Sequence, residues 1–129
     1  MDQNKKYLVP LENGRNEPIK DLDNATRIVL IDKDTVGAED VTFAHCKFEA
    51  KTSLHKKHIH KNAEEVIYIL SGRGISGIGN TEMEMGKGDT MFVPRGAEHW
   101  FYNPFDEPVE MIFIYTRPSL KMAGYNVVE

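Results

Sequence analysis

His58-Ile59-His60-Lys61-Asn62-Ala63-Glu64-Glu65-Val66-Ile67-Tyr68-Ile69-Leu70-Ser71-Gly72 is the stretch whose reading decides the fold. Side chains of a strand point alternately to opposite faces, so residues two apart share a face. His58 and His60, at the start of a strand, therefore aim at the same point. The four residues between His60 and Glu65 suffice for a tight turn. Glu65 then opens an apolar strand in which Glu65, Ile67 and Ile69 share one face, and Val66, Tyr68 and Leu70 the other. A carboxylate is thereby set near two imidazoles.

A second stretch, from Gly88 through Pro94 and Gly96 to His99 and Asn103, delivers a third imidazole, His99, at the start of another strand. Three neutral imidazoles and one carboxylate suit Fe, Mn, Ni, Cu or Zn. Such a set leaves one or two positions on the ion open, as catalysis or ligand binding requires.

Outward from these stretches the chain keeps one rhythm. Residues 26–31, 41–48, 75–78, 82–85, 90–93, 98–102 and 109–116 read as short strands, divided by turns such as Gly79-Asn80, Gly86-Lys87-Gly88 and Asn103-Pro104. Strands at roughly 8–12 residue spacing mean an all-β sandwich or barrel. Residues 25–118 form that domain. Residues 1–24, charged and carrying Pro10, Gly14 and Pro18, read as an arm in which residues 7–11 could add an edge strand. Residues 119–129 read as a short tail whose first part has the best helix composition of the chain.

The chain has 129 residues, of which 40% are hydrophobic and 28% charged, the balance of one soluble globular domain. A net charge of -4, a pI of about 5.7 and the lack of a basic block give no reason to expect nucleic acid or a membrane surface as partner. The single cysteine, Cys46, excludes an internal disulfide. With no apolar leader and no run of about 20 apolar residues, the expected location is the cytoplasm.

Further site candidates follow from alternation. Phe101 shares the face of His99. Ile67 shares that of Glu65. Met83, Met85 and Phe113 are candidates for the pocket wall. Tyr68, Tyr115 and His45 are the candidates for catalytic groups, because a phenol or an imidazole in the cavity could hold substrate or move a proton. Arg27 and Arg73 could bind an anion but read as exposed charges, and His55 reads as surface. Cys46 reads as buried rather than nucleophilic.

The two stretches resemble the motifs of the cupin superfamily. The first reads His58-x-His60-x4-Glu65-x6-Gly72, with Thr52 where the family motif begins with glycine; Glu64 fits a shorter spacing, but only Glu65 leaves six residues before Gly72. The second reads Gly88-x5-Pro94-x-Gly96-x2-His99-x3-Asn103, complete at every fixed position. The resemblance implies a double-stranded β-helix, or jelly-roll barrel. It also implies one divalent transition metal (Fe, Mn, Ni, Cu or Zn) held by His58, His60, Glu65 and His99, with Gly72, Gly88, Pro94 and Gly96 as turn residues. A homodimer that uses the N-terminal arm is implied as well. The family spans several chemistries, so function is an expectation only. The first is a metal-dependent enzyme on a small polar or oxygen-rich molecule, with dioxygenase slightly favoured and decarboxylase, lyase and isomerase close behind. The alternative is a non-catalytic small-molecule binding or sensor barrel.

Overall fold

A computed structural model describes residues 7–20 and 22–128, with side chains for all of these except residues 53–55, so the surface expectation for His55 lies outside the described residues. The strands are β1 (Arg15–Asn16), β2 (Ala25–Ile31), β3 (Thr42–Phe48), β4 (Thr52–Ile59), β5 (Glu65–Ser71), β6 (Arg73–Ile78), β7 (Thr81–Gly86), β8 (Thr90–Val93), β9 (His99–Asn103), β10 (Val109–Tyr115) and β11 (Asn126–Val127). Two four-residue helices, α1 (Lys33–Val36) and α2 (Leu120–Ala123), join them. One sheet runs β1-β2-β3-β10-β5-β8 and the other β11-β4-β9-β6-β7; the pairings within both are antiparallel. This is the two-sheet jelly roll expected from the sequence. No helix among the described residues is long and apolar enough to cross a membrane.

The core lies between the sheets and is filled by one member of each alternating pair. In β3 the buried set is Thr42, Ala44, Cys46 and Phe48; in β10 it is Val109, Met111, Phe113 and Tyr115. The register Cys46↔Met111 and Ala44↔Phe113 stacks the two sets side by side. The sides of β3 run opposite to what a cavity role for His45 requires. His45 is on the outer face, 3.6 Å from Glu110 Oε2.

The N-terminal segment is more than an arm. Ile19 and Leu22 are buried in the core. Arg27 donates to the carbonyls of Glu17 and Pro18, both at 3.1 Å, and Arg15 reaches the buried Asp32 carboxylate at 2.6 Å. The edge strand forms at Arg15–Asn16 rather than at 7–11, where Leu11–Asn13 makes a single 3-10 turn.

Two features fix β9. Asn103 is fully buried; its amide donates to the carbonyls of Glu49 (3.1 Å) and Glu107 (2.7 Å), and its Oδ1 accepts from the Phe105 amide (3.0 Å). One side chain so ties two loops together and ends the strand. At the other end, Gly77 of β6 lies under the Trp100 indole, where a Cβ would come within 1.8 Å of the ring.

Candidate metal centre

Four side chains converge where the ends of the two sheets meet. His58 closes β4, and His99 opens β9 directly across from it in the ladder. Glu65 opens β5 in the other sheet, between Tyr115 and Val93. His60 lies just past β4, in the turn that carries the chain from one sheet to the other. All four are buried, at 2–5% exposure.

Each imidazole is oriented by a backbone carbonyl. His58 Nδ1 is 2.7 Å from the Lys56 oxygen, His99 Nδ1 is 3.0 Å from that of Ala97, and His60 Nδ1 is 2.5 Å from that of Gly124. A carbonyl oxygen can only accept, so Nδ1 carries the proton in all three rings. In the neutral imidazole Nε2 is then an acceptor with its lone pair available. Metal-ligating histidines are commonly held in this way.

One ring nitrogen from each imidazole lies within 4.8 Å of the others, close enough for the three histidines to hold a metal ion. Two ligand atoms on one ion, each about 2.1 Å away, lie at most about 4.2 Å apart. Glu65 Oε1 is 3.0 Å from His99 Nε2 and 3.6 Å from His60 Nε2. These three atoms are buried without a hydrogen-bond partner. A lone pair facing a carboxylate at 3.0 Å is repulsive unless a proton or a cation is shared between them. The donor set fits such a cation in ligand chemistry, and both Glu65 separations lie within the span of two ligands on one ion.

The environment of these groups is low in water. Burial lowers the pKa of His60 below the usual histidine value, and its nearness to Glu65 only partly offsets this. Burial pulls His99 down as well, but the Glu65 carboxylate 3.0 Å away favours its charged form and outweighs this, and its pKa ends raised. Tyr115, whose ring centroid is 4.7 Å from that of His60, is pushed well above the ordinary tyrosine value by burial and then by Glu65.

A cavity of about 40 Å³ adjoins the cluster, reached by His58, Glu65, His99 and Tyr115 on its polar side. Its apolar wall includes Ile67, Phe101 and Phe113, all among the pocket candidates. Cys46 and Ile19 also reach it, Ile19 from the segment read as an arm. Met83 is 38% exposed and outside the wall, because β7 is the outer strand of its sheet and most of it faces water. Met85 is buried in the core but does not line the cavity. Tyr68 is 42% exposed on the outer face of β5, and His45 points away on β3, so of the three catalytic candidates only Tyr115 is at the site.

The C-terminal segment was missed as part of the site. β11 pairs with β4 (Asn126↔Ile59, Val127↔His58), and Tyr125 stacks with its ring centroid 4.9 Å from that of His58 and 6.0 Å from that of His60. Nothing in the local pattern of residues 119–129 marks this pairing, which depends on a strand more than sixty residues away.

Comparisons with known proteins agree with this fold. The polyketide cyclase RemF from Streptomyces resistomycificus has the same fold, with a TM-score of 0.76 at 22% identity over 95% of this chain and 84% of that one. An oxalate oxidase in complex with the substrate analogue glycolate gives a TM-score of 0.78 at 16% identity over 98% of this chain and 66% of that one. In sequence, an uncharacterized protein of Methanocaldococcus jannaschii is 38% identical over 63 residues, 49% of this chain and 48% of that protein. An acireductone dioxygenase of Leptospira biflexa is 35% identical over 81 residues, 60% of this chain and 40% of that enzyme. The chain thus spans less than half the length of either relative. The family model for the Cupin domain matches residues 44–115, more than half the chain and nearly all of the span from β3 to β10, and the chain belongs to the cupin family.

Proposed function

We propose that the protein is a metal-dependent enzyme acting on a small, oxygen-rich molecule, with His58, His60, Glu65 and His99 holding one divalent transition ion. The observation that carries this reading is the set of three buried imidazoles, each locked by its Nδ1 so that Nε2 is left to coordinate, around a buried carboxylate oxygen. When bound, the ion supplies a Lewis acid and, if it is Fe, Mn, Ni or Cu, a redox centre.

The chain's own residues set the substrate class. About 40 Å³ holds roughly three water-sized spheres, so the molecule is of few heavy atoms. Ile67, Phe101 and Phe113 exclude water and offer it no charged partner, which leaves recognition of its oxygens to the metal side of the cavity. Tyr115 stays protonated at neutral pH and can donate a hydrogen bond to a substrate oxygen there. Dioxygenase is the reaction class favoured, because the ligand set suits redox ions and the Leptospira biflexa relative is a dioxygenase. Decarboxylase, lyase and isomerase chemistry stand close behind.

The second reading, a non-catalytic binding barrel, is supported by the scarcity of other titratable groups in the wall: Cys46 and Tyr115. Oxygen-electrode and carbon dioxide assays on metal-loaded protein, with small carboxylates and hydroxyketones, separate the two. Substrate-dependent oxygen uptake supports the dioxygenase. Gas release without oxygen uptake points to the decarboxylase, and saturable binding with no turnover of any ligand to the binding barrel.

The same reading takes the protein as a homodimer. The outer face of the larger sheet supports it: the cross-strand row Phe92, Val66, Ile114 and Phe43 is apolar, with Phe92 53% exposed.

A further inference from the structure

We infer that Gly124 is a positioning residue of the metal centre: its carbonyl fixes the tautomer and aim of His60, so metal affinity is set in part from the C-terminal segment. This rests on the metal-centre reading above. His58 and His99 take their carbonyl partners from two residues back along their own chain, Lys56 and Ala97. His60 lies beyond the end of β4, and its Nδ1 partner stands 64 residues away.

That distant carbonyl is clamped on both sides. Before it, α2 is capped by Ser119, whose hydroxyl accepts from the Met122 amide at 3.0 Å. The Ala123 carbonyl accepts from the Asn62 amide at 3.0 Å, and the Ala123 side chain is fully buried. After it, β11 pairs with β4, and the Val128 amide donates to the Lys57 carbonyl at 3.1 Å. Tyr125 stacks on the same histidines from outside. The segment therefore holds the turn that carries His60 at Asn62 and the end of β4 before it from Lys57 to Ile59, and presents one oxygen to the His60 ring.

Gly124 has φ 83° and ψ 140°, a conformation that L side chains rarely adopt. A Cβ there would meet the flexible Lys61 stem at 3.3 Å, with Asn62 Nδ2 and the Lys61 amide nitrogen at an ordinary 3.6 Å. Gly124→Ala therefore acts through the backbone, turning the peptide that presents the carbonyl, rather than through a clash. Loss of such an outer partner weakens metal binding by about 10- to 100-fold.

The test is Co(II) and Zn(II) affinity of the full-length protein by competition with a chromogenic chelator, together with the visible spectrum of the Co(II) form. Gly88→Ala is the control, since Gly88 has φ +88° with open space around it, in the turn before β8. Both variants should unfold earlier than wild type in chelator. Only Gly124→Ala should bind Co(II) about 10- to 100-fold more weakly, with an altered ligand-field spectrum. Affinity and spectrum equal to wild type overturn the inference, as does an equal loss in the control. If Gly124→Ala does not fold, Ser119→Ala, which loosens α2, takes its place. A severalfold weaker affinity then supports the inference, and an unchanged one overturns it. A wild type that binds neither ion fails before any variant is compared, and overturns the metal-centre reading together with this one.

Discussion

Gly77→Ala should destabilise the protein through a single ring. A Cβ at this position would stand 1.8 Å from Trp100 Cε2, 2.2 Å from Cζ2 and 2.3 Å from Nε1. Carbon atoms rest at about 3.5–4.0 Å, so the indole has to move by roughly 1.5–2 Å. It has little room. Trp100 is 6% exposed, Lys57 Nζ sits 4.6 Å from the ring centroid, and Nε1 donates to Glu82 Oε2 at 2.7 Å. Overpacking of this kind costs about 1–3 kcal/mol, while the stiffer unfolded chain returns about 0.4–1 kcal/mol. The net loss is about 1–2 kcal/mol, a fall in Tm of about 3–10 °C for a domain of this size. Thermal and urea unfolding measure it. Trp100 is the sole tryptophan, so its emission reports the displacement directly and should move to the red. Trp100→Phe removes the atoms that clash, and the double variant should cost less than the sum of the two single ones. A Tm within about 1 °C of wild type and an unchanged emission maximum would refute the reasoning.

Other expectations follow from the same structure. Asp32 titrates below its ordinary value of 3.8: burial raises it, but the hydrogen bond from Arg15 and those from the Thr35 and Asp34 amides lower it further. The fold thus favours the ionised form, so this stabilisation is full above the unfolded value of about 3.9 and is lost as pH falls through the lower folded one. Arg15→Ala should flatten that acid limb in pH-dependent urea melts, and an unaltered limb would show that the pair does not contribute. The Cys46 thiol is pushed up to about 12 by burial, so at pH 8 it should resist iodoacetamide until the protein unfolds; rapid labelling of the native state would contradict its burial. Asn103→Ala removes the donor to the Glu107 and Glu49 carbonyls, the latter still accepting from Thr52, and the acceptor of the Phe105 amide; it should cost about 2–3 kcal/mol in chemical denaturation, with a loss below about 1 kcal/mol counting against it. A bound ion at 100 times its Kd should add about 2.7 kcal/mol to the stability of wild type and markedly less to Glu65→Gln, read as the metal-induced shift in Tm.

Much of this was legible in the sequence, and the reason differs from residue to residue. His58 and His60 converge because strand alternation has a fixed period. Glu65 reaches them because a short turn returns the chain at once. The sign of an alternation is a different matter. In β3 both faces carry apolar residues, Phe43 on one and Phe48 on the other, so local pattern does not say whether His45 points in or out. Pairing with β2 and β10 decides it. Met83 was misplaced for a related reason: alternation identifies two faces, but β7 is an outer strand and has little core to bury against. Ile19, Gly124 and Tyr125 reach the site through long-range packing, for which a short polar segment carries no periodic signal.

The most direct test of the metal centre is the metal content of untagged protein purified in parallel with a His58→Ala, His60→Ala double variant. About one equivalent of Fe, Mn, Ni, Cu or Zn in wild type, absent from the variant, is the expected result. Wild type that holds no ion even after reconstitution with each of them would contradict the metal centre and leave the binding barrel as the standing reading.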